Sequence, residues 1–193
     1  MKNKKVLLLL ANGFEAYEAS VFTDIIGFAN TGGFPIDLKS AGNFSTINCA
    51  YGFNVKPDYL INDVDLDEFD ALAIPGGRRD AGFYEDAYST DFQNVIKAFN
   101  KKNKYIAGIC VASLPMAKAG VLDGKTATTY FGKRQRELAE MGINVIDEQI
   151  VCDGNIITSS SPSAGIEVAI KLLGLLTSDE CVKATKDAFG LNH

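Results

Sequence analysis

Small residues around Cys110 suggest that this cysteine is a nucleophile. An apolar run ends at Ile109, and a helical pattern then continues from Cys110 to Gly120. Gly108 and Ala112 stand two positions before and after the cysteine, as in the nucleophile elbow of hydrolase-type folds, where strand and helix approach closely. A cysteine at a helix start faces unpaired N–H groups and the positive end of the helix dipole, so we expect a lowered pKa and a reactive thiolate.

A buried, inert cysteine is the alternative interpretation of Cys110, because free cysteine is among the most buried residue types. The five-residue pattern around it does not decide between the two interpretations. The rest of the chain must supply the evidence.

Composition predicts one globular domain spanning residues 1–193. The chain has 193 residues, of which 47% are hydrophobic and 22% charged, enough for a substantial core and a solvated surface. A net charge of −5 without a dense Lys/Arg block argues against nucleic acid as a partner. The apolar run Val6–Ala11 after the basic start is too short for a signal peptide, so we expect a cytoplasmic protein that does not bind membranes.

Cysteine and histidine usage argues against metal binding and disulfides. The four cysteines are widely separated, with no Cys-x-x-Cys pair, and occupy positions 49, 110, 152 and 181. The single histidine is the last residue, His193, so we expect neither a metal site nor an internal histidine base.

Apolar strands alternate with amphipathic helices along the chain. Strands are predicted at 5–11, 34–40, 69–74, 105–109, 126–129, 144–146, 150–151 and 156–157. Helices are predicted at 18–29, 91–102, 110–120, 133–141, 164–176 and 178–189, with Ser163 and Ser178 as N-caps of the last two. This alternation predicts a single α/β domain with a doubly wound, mainly parallel sheet and helices on both faces.

Three conspicuous segments follow predicted strands. They are Gly13–Glu18, the Pro75-Gly76-Gly77 turn and Cys110. In a doubly wound sheet the carboxyl ends of parallel strands form the ligand-binding edge, so we expect these segments to lie together. The Gly-Gly pair would let a backbone N–H approach a ligand, although an isolated Pro-Gly-Gly is more often a plain turn.

Four motifs together resemble the ThiJ/PfpI superfamily, and within it the DJ-one type. They are Leu7–Ala19, Ile74–Gly77, Ala107–Ala112 and Ile157–Ser159, and the resemblance covers nearly the whole chain. It implies a flavodoxin-like fold related to class I glutaminases, no cofactor and a homodimer. Apolar residues of the first helix, namely Val21, Phe22, Ile25 and Phe28, fit either such an interface or the core.

The resemblance also implies a set of site residues. Cys110 is then the nucleophile, Glu18 the glutamate that hydrogen-bonds to it, and Glu15 a second acidic position. The backbone N–H groups of Gly77 and Val111 would hold the bound oxygen. A carboxyl beside a thiolate should be protonated and able to shuttle a proton. The alternative for Glu18 is an exposed glutamate in the first turn of a helix.

The expected pocket would include Glu15, Gly76 and Tyr130. Two departures from the family pattern change its chemistry. Thr128-Thr129 continues to Tyr130, where deglycase-type members carry histidine, so a hydroxyl replaces the imidazole. Tyr51 stands where the family often has arginine.

Two functions of different classes follow. The first is cofactor-independent conversion of a small reactive carbonyl such as methylglyoxal to lactate, or repair of glycated protein, through Cys110 and Glu18. The second is a redox-sensing or chaperone-like stress protein in which Cys110 is oxidised to sulfinate without turnover. Proteolysis is disfavoured, since no Cys-His pair can form inside the domain.

Overall fold

The computed structural model describes residues 3–192, so the prediction about His193 lies outside the described residues, as do Met1 and Lys2. The strands are β1 (Lys4–Leu10), β2 (Ile36–Gly42), β3 (Ile47–Asn48), β4 (Asn54–Val55), β5 (Tyr59–Leu60), β6 (Ala71–Ile74), β7 (Tyr105–Gly108), β8 (Thr126–Ala127), β9 (Asn144–Val145), β10 (Ile150–Asp153) and β11 (Ile156–Ser159). The helices are α1 (Ala16–Thr31), α2 (Phe83–Ala87), α3 (Thr90–Lys101), α4 (Ser113–Lys118), α5 (Lys133–Glu140), α6 (Gly165–Leu176) and α7 (Asp179–Phe189).

A central sheet of seven strands has the order β10-β11-β7-β6-β1-β2-β5. Every neighbouring pair is parallel except the β10–β11 hairpin at one edge. Val6–Leu10 of β1 is almost completely buried, as expected for a strand covered on both faces. The predicted α/β architecture with a mainly parallel sheet is therefore confirmed.

Helices cover both faces of this sheet. Helices α1, α6 and α7 pack against one another in one layer, and α2 to α5 form the other. Val21, Phe22 and Ile25 of α1 are buried in the core of the single chain, whereas Phe28 is exposed and contacts the ring of Phe189. Of the two interpretations of these residues, the core therefore accounts for the first three.

Two details of the predicted elements are wrong. The strand predicted at 126–129 stops at Ala127, because the Thr128 N–H donates to Thr158 Oγ1 and Thr129 Oγ1 donates to the Cys110 carbonyl. Ser163 does not cap α6: it lies in a 3₁₀ turn, and its hydroxyl bonds to that of Ser161 at 2.8 Å. Ser178 does cap α7, since its Oγ accepts a hydrogen bond from the Cys181 N–H.

The four cysteines are free thiols, as their spacing predicted. Cys152 is exposed, and the other three are buried. Between residues 3 and 192 no helix is both long and apolar enough to cross a membrane.

Candidate active site

The loops after β1 and β6 pair with each other and carry two parts of the predicted site. Phe14 forms an antiparallel bridge to Gly77, with the Glu15 N–H donating to the Gly76 carbonyl at 2.9 Å. Because β1, β6 and β7 are adjacent in the sheet, this edge also receives the segment after β7, which contains Cys110. The structure therefore brings the three expected segments together.

Cys110 stands on a strained elbow between β7 and α4. Its φ is +58°, a left-handed conformation that a residue with a side chain rarely adopts and that costs about 1–3 kcal/mol. Two hydroxyls fix the elbow, because Thr129 Oγ1 and Ser113 Oγ donate to the Cys110 carbonyl at 3.1 and 3.3 Å. Close packing leaves no room for a side chain at Gly108, whose Cβ would lie 2.5 Å from Met116 Sδ.

Glu18 lies in the first turn of α1 and is completely buried, which rules out the exposed alternative. Its Oε2 accepts a hydrogen bond from the Gly76 N–H at 2.6 Å. Cys110 is near enough to interact with the carboxyl, but Oε1 has no hydrogen-bond partner among the described residues. Burial raises the pKa of Glu18 to about 8, and the Glu15 charge adds to this, while the Gly76 N–H opposes it.

The pKa of Cys110 is raised, whereas its position at a helix start predicted a lowered pKa. Cys110 is only 7% exposed, and burial raises the pKa of its thiol well above the ordinary value. The Glu18 charge raises it further, and the Val111 N–H lowers it too little to compensate. The prediction of a lowered pKa is wrong because it considered the helix terminus and ignored loss of solvent.

A cavity of about 690 Å³ opens above Cys110. Its walls include four residues expected in the pocket or at the bound oxygen, namely Glu15, Gly77, Val111 and Tyr130. The Gly77 N–H has no acceptor among the described residues, and the Val111 N–H points to the Cys110 sulfur. Gly76 is not part of the wall: it lies behind it, where a Cβ would come within 2.9 Å of Glu18 Oε2.

Sequence reasoning missed three arginines in the walls of this cavity, Arg78, Arg79 and Arg134. Arg78 binds Asp80 and donates to the Tyr51 hydroxyl at 3.1 Å, so the tyrosine that replaces the family's arginine holds another arginine. Arg78 and Arg79 directly follow the Pro-Gly-Gly turn, and this position could have indicated that they lie near the site. The sequence around Arg134 gives no indication that this residue reaches the cavity.

Metal-binding side chains do not converge in the part of the chain that the structure describes. No group of three His, Cys, Asp or Glu residues between positions 3 and 192 is arranged to hold a metal ion. The chemistry available at this edge of the sheet is that of a thiol, a buried carboxyl and backbone N–H groups.

Comparison with known proteins identifies the family. The family model described as DJ-1/PfpI family matches residues 4–175. The protein dj-1beta of Drosophila melanogaster is 29% identical over 181 residues, which cover 94% of each chain. Deglycase PfpI of Pyrococcus furiosus is 32% identical over 126 residues, covering 64% of this chain and 74% of that protein. The crystal structure of Drosophila DJ-1beta superposes with a TM-score of 0.83 over 98% of both chains at 27% identity. The chain therefore belongs to the DJ-1/PfpI family.

Proposed function

We propose that this protein is a cysteine-dependent, cofactor-independent enzyme that converts small reactive carbonyls to hydroxy acids, with methylglyoxal giving lactate. The observation that carries the proposal is the completely buried Glu18 carboxyl beside Cys110, with one oxygen hydrogen-bonded and the other unpaired. A carboxyl with a pKa of about 8 exchanges a proton readily near neutral pH.

In the first step, Cys110 Sγ adds to the aldehyde carbon. The thiol proton passes to the unpaired Oε1 of Glu18, and the carbonyl oxygen becomes an oxyanion that the N–H groups of Gly77 and Val111 stabilise. Proton return to that oxygen gives a hemithioacetal. A left-handed backbone at Cys110 exposes the sulfur to the cavity for this attack.

In the next steps, Glu18 removes the proton from the former aldehyde carbon and delivers it to the adjacent carbonyl carbon, while the proton of the hemithioacetal hydroxyl moves to the oxygen of that carbonyl. The product is the thioester of lactate on Cys110, which water hydrolyses to lactate and the free thiol. Overall, methylglyoxal and one water give lactate and one proton. An early glycation adduct on protein would enter by the same addition of sulfur, and Deglycase PfpI is named for a related activity.

Conversion of methylglyoxal to lactate by the pure protein tests the proposal, in a buffer without Tris-type amines. We expect Cys110→Ser and Glu18→Gln each to lower kcat/KM by at least about 100-fold, since both take part in proton transfer. Cys152→Ser is the matched control, because Cys152 is exposed and away from the cavity. Wild-type turnover no greater than that of the two site variants would refute the carbonyl-enzyme proposal.

A redox-sensing function is the second candidate. It is favoured by the absence of histidine between residues 3 and 192, which removes one general acid or base, while a protonated Glu18 remains able to donate to a cysteine sulfinate. Two equivalents of hydrogen peroxide would convert the thiol to sulfinate with release of two waters. After peroxide treatment, mass spectrometry should find two added oxygens on Cys110 of the wild-type protein and no stable sulfinate on Cys110 of Glu18→Gln. Equal oxidation of Cys110 in the two proteins would contradict this function.

Two further proposals are a homodimer, which the family resemblance supports, and a cytoplasmic location, which was expected from the sequence. Sedimentation equilibrium should give about twice the 20.8 kDa chain mass. A mass equal to one chain across the concentration range would exclude the dimer.

A further inference from the structure

Arginine is concentrated in the cavity above Cys110. The chain has 15 lysines and four arginines. Three of those arginines line the cavity, and none of its described wall residues is lysine. The planar guanidinium matches a carboxylate or phosphate with two parallel hydrogen bonds, which an ammonium group does not. The addition and proton transfers proposed above use none of these arginines.

One of the three guanidiniums is not engaged by a carboxylate. Arg78 pairs with Asp80, and Arg134 pairs with Glu137 at 2.5 Å. Arg79 forms no ion pair within the described residues, and its guanidinium lies over the Tyr84 ring, 4.7 Å from the centroid. Its N–H donors are therefore available to a ligand.

Tyr84 holds two of these guanidiniums at one wall of the cavity. Arg134 Cζ lies 5.1 Å from the centroid of the same ring that Arg79 contacts. Such contacts orient a guanidinium without neutralising it. The cavity walls also carry Glu15 and Asp80, so three positive charges face two negative ones in a protein whose net charge is −5.

We infer that this cavity selects carbonyl substrates that carry an anionic group, a carboxylate or a phosphate, with the anion held at Arg79 and Arg134 and the carbonyl at Cys110. The inference rests on the proposed function and narrows its substrate class. A substrate R–CO–CHO, with the anion in R, would take up one water and give R–CHOH–COO⁻ and one proton. A cavity of about 690 Å³ has the size of sites that hold much larger ligands than methylglyoxal.

Alkylation of Cys110 tests the inference without requiring turnover. Iodoacetate and iodoacetamide have nearly the same size and differ in charge, and mass spectrometry of each cysteine peptide gives the ratio of their rates. We expect the iodoacetate to iodoacetamide ratio to be about tenfold higher at Cys110 than at the exposed Cys152, which serves as internal reference. Added salt should reduce the difference, since it screens the arginines.

Two variants assign the effect to the cavity. Arg79→Gln should bring the Cys110 ratio close to that of Cys152. Arg136→Gln is the matched control and should leave it unchanged, because Arg136 is an exposed arginine of α5 outside the cavity. Equal ratios at the two cysteines in wild type would overturn the inference. So would a Cys110 that neither reagent reaches, because the inference requires an open path past the arginines.

Turnover separates the inference from the proposed function on which it rests. The probes are 4,5-dioxovalerate, an α-oxoaldehyde with a carboxylate, and its neutral methyl ester. We expect kcat/KM to be about tenfold higher for the anion, and Arg79→Gln to abolish this preference mainly through KM. Equal turnover of both probes would overturn the inference and leave the proposed function in place. Turnover of methylglyoxal but of neither probe would also overturn the inference and leave the proposed function in place. Absence of turnover with methylglyoxal and with both probes would refute the proposed function, while the alkylation ratios would still decide the inference.

Discussion

Glu18 and Cys110 are two acids that share a site from which water is largely excluded. Each is buried, and the Glu18 charge raises the pKa of Cys110. Such a pair loses its protons in two steps that belong to the pair as a whole. The first is expected near pH 8 and the second far above it, so one negative charge is shared by carboxyl and thiol under mildly alkaline conditions.

This coupling predicts how catalysis depends on pH. Addition of sulfur needs the singly charged pair, so kcat/KM for methylglyoxal should rise about tenfold per pH unit below an inflection near pH 8. Glu15→Gln should move the inflection to lower pH, because the Glu15 charge helps to raise the pKa of Glu18. Initial rates from pH 5.5 to 9.5 would measure both effects. An inflection that persists near pH 8 in Glu18→Gln would show that another group is responsible.

The resemblance to the family pointed to the candidate site residues but not to their electrostatics. Cys110 was a candidate from its elbow pattern, whereas Glu18, Gly77 and Val111 were implied by the family motifs, and the structure brings the four together. Their roles stay predictions. The direction of the Cys110 pKa shift depends on burial by segments distant in the chain, which the elbow pattern does not contain.

Tight packing between elements positions the site. The loops after β1 and β6 meet without an intervening side chain at Gly77, where a Cβ would overlap the Gly13 carbonyl and the Phe83 ring. A bridge between Phe14 and Gly77 joins the loops at this point. The distance between Glu18 and the elbow therefore depends on a glycine that contributes no side chain.

Gly77→Ala should accordingly damage both stability and activity. Relief of the overlap must move backbone, so we expect a loss of about 1–3 kcal/mol in the free energy of unfolding and a large fall in kcat/KM. Gly27→Ala is the matched control: Gly27 lies in α1 with open space around its Cβ position, and alanine should stabilise the helix by about 0.5–1 kcal/mol. Urea unfolding of both variants provides the measurement. A Gly77→Ala protein as stable and active as wild type would contradict this account of the packing.

Long elements were easier to predict than the ends of short ones. Strand β1 and helices α3 and α7 follow clear apolar periodicity and lie within one residue of their predicted ends. Ser163 and Ser178 look alike as candidate caps, but the first is followed by a 3₁₀ turn that displaces the start of α6. Helix α2 was not predicted, because five residues are too few to show a period.

The fold class was predictable from the whole chain, but the order of strands in the sheet was not. Alternating strands and helices with right-handed crossovers imply a parallel sheet, whichever strand lies at its centre. The structure places β1, β6 and β7 side by side, and this adjacency brings Glu18 and Cys110 together. The arginine-lined wall arises in the same way, because Arg79 and Arg134 are far apart in the chain and each lies over the Tyr84 ring.

The same buried carboxyl should make the stability of the whole molecule depend on pH. The pKa of Glu18 is about 8 in the folded protein and close to the ordinary 4.5 in the unfolded chain, so the folded state binds the proton more tightly. This contribution is complete below about pH 4.5 and is lost as pH rises through 8. Between pH 5.5 and 8.5 the free energy of unfolding should fall by about 3 kcal/mol.

Glu18→Gln isolates this contribution, because the amide oxygen can still accept the Gly76 N–H and the side chain no longer titrates. We expect its free energy of unfolding to be nearly constant from pH 5.5 to 8.5, and to exceed that of wild type at the alkaline end. Urea unfolding at intervals of half a pH unit gives both curves. In Glu15→Gln the free energy of unfolding should fall with pH almost as steeply as in wild type, since Glu15 is only half-buried and Glu18 remains ionisable. Parallel curves for wild type and Glu18→Gln would mean that Glu18 does not change its protonation state in this range, and the predicted rise of kcat/KM toward an inflection near pH 8 would then lack its titrating group.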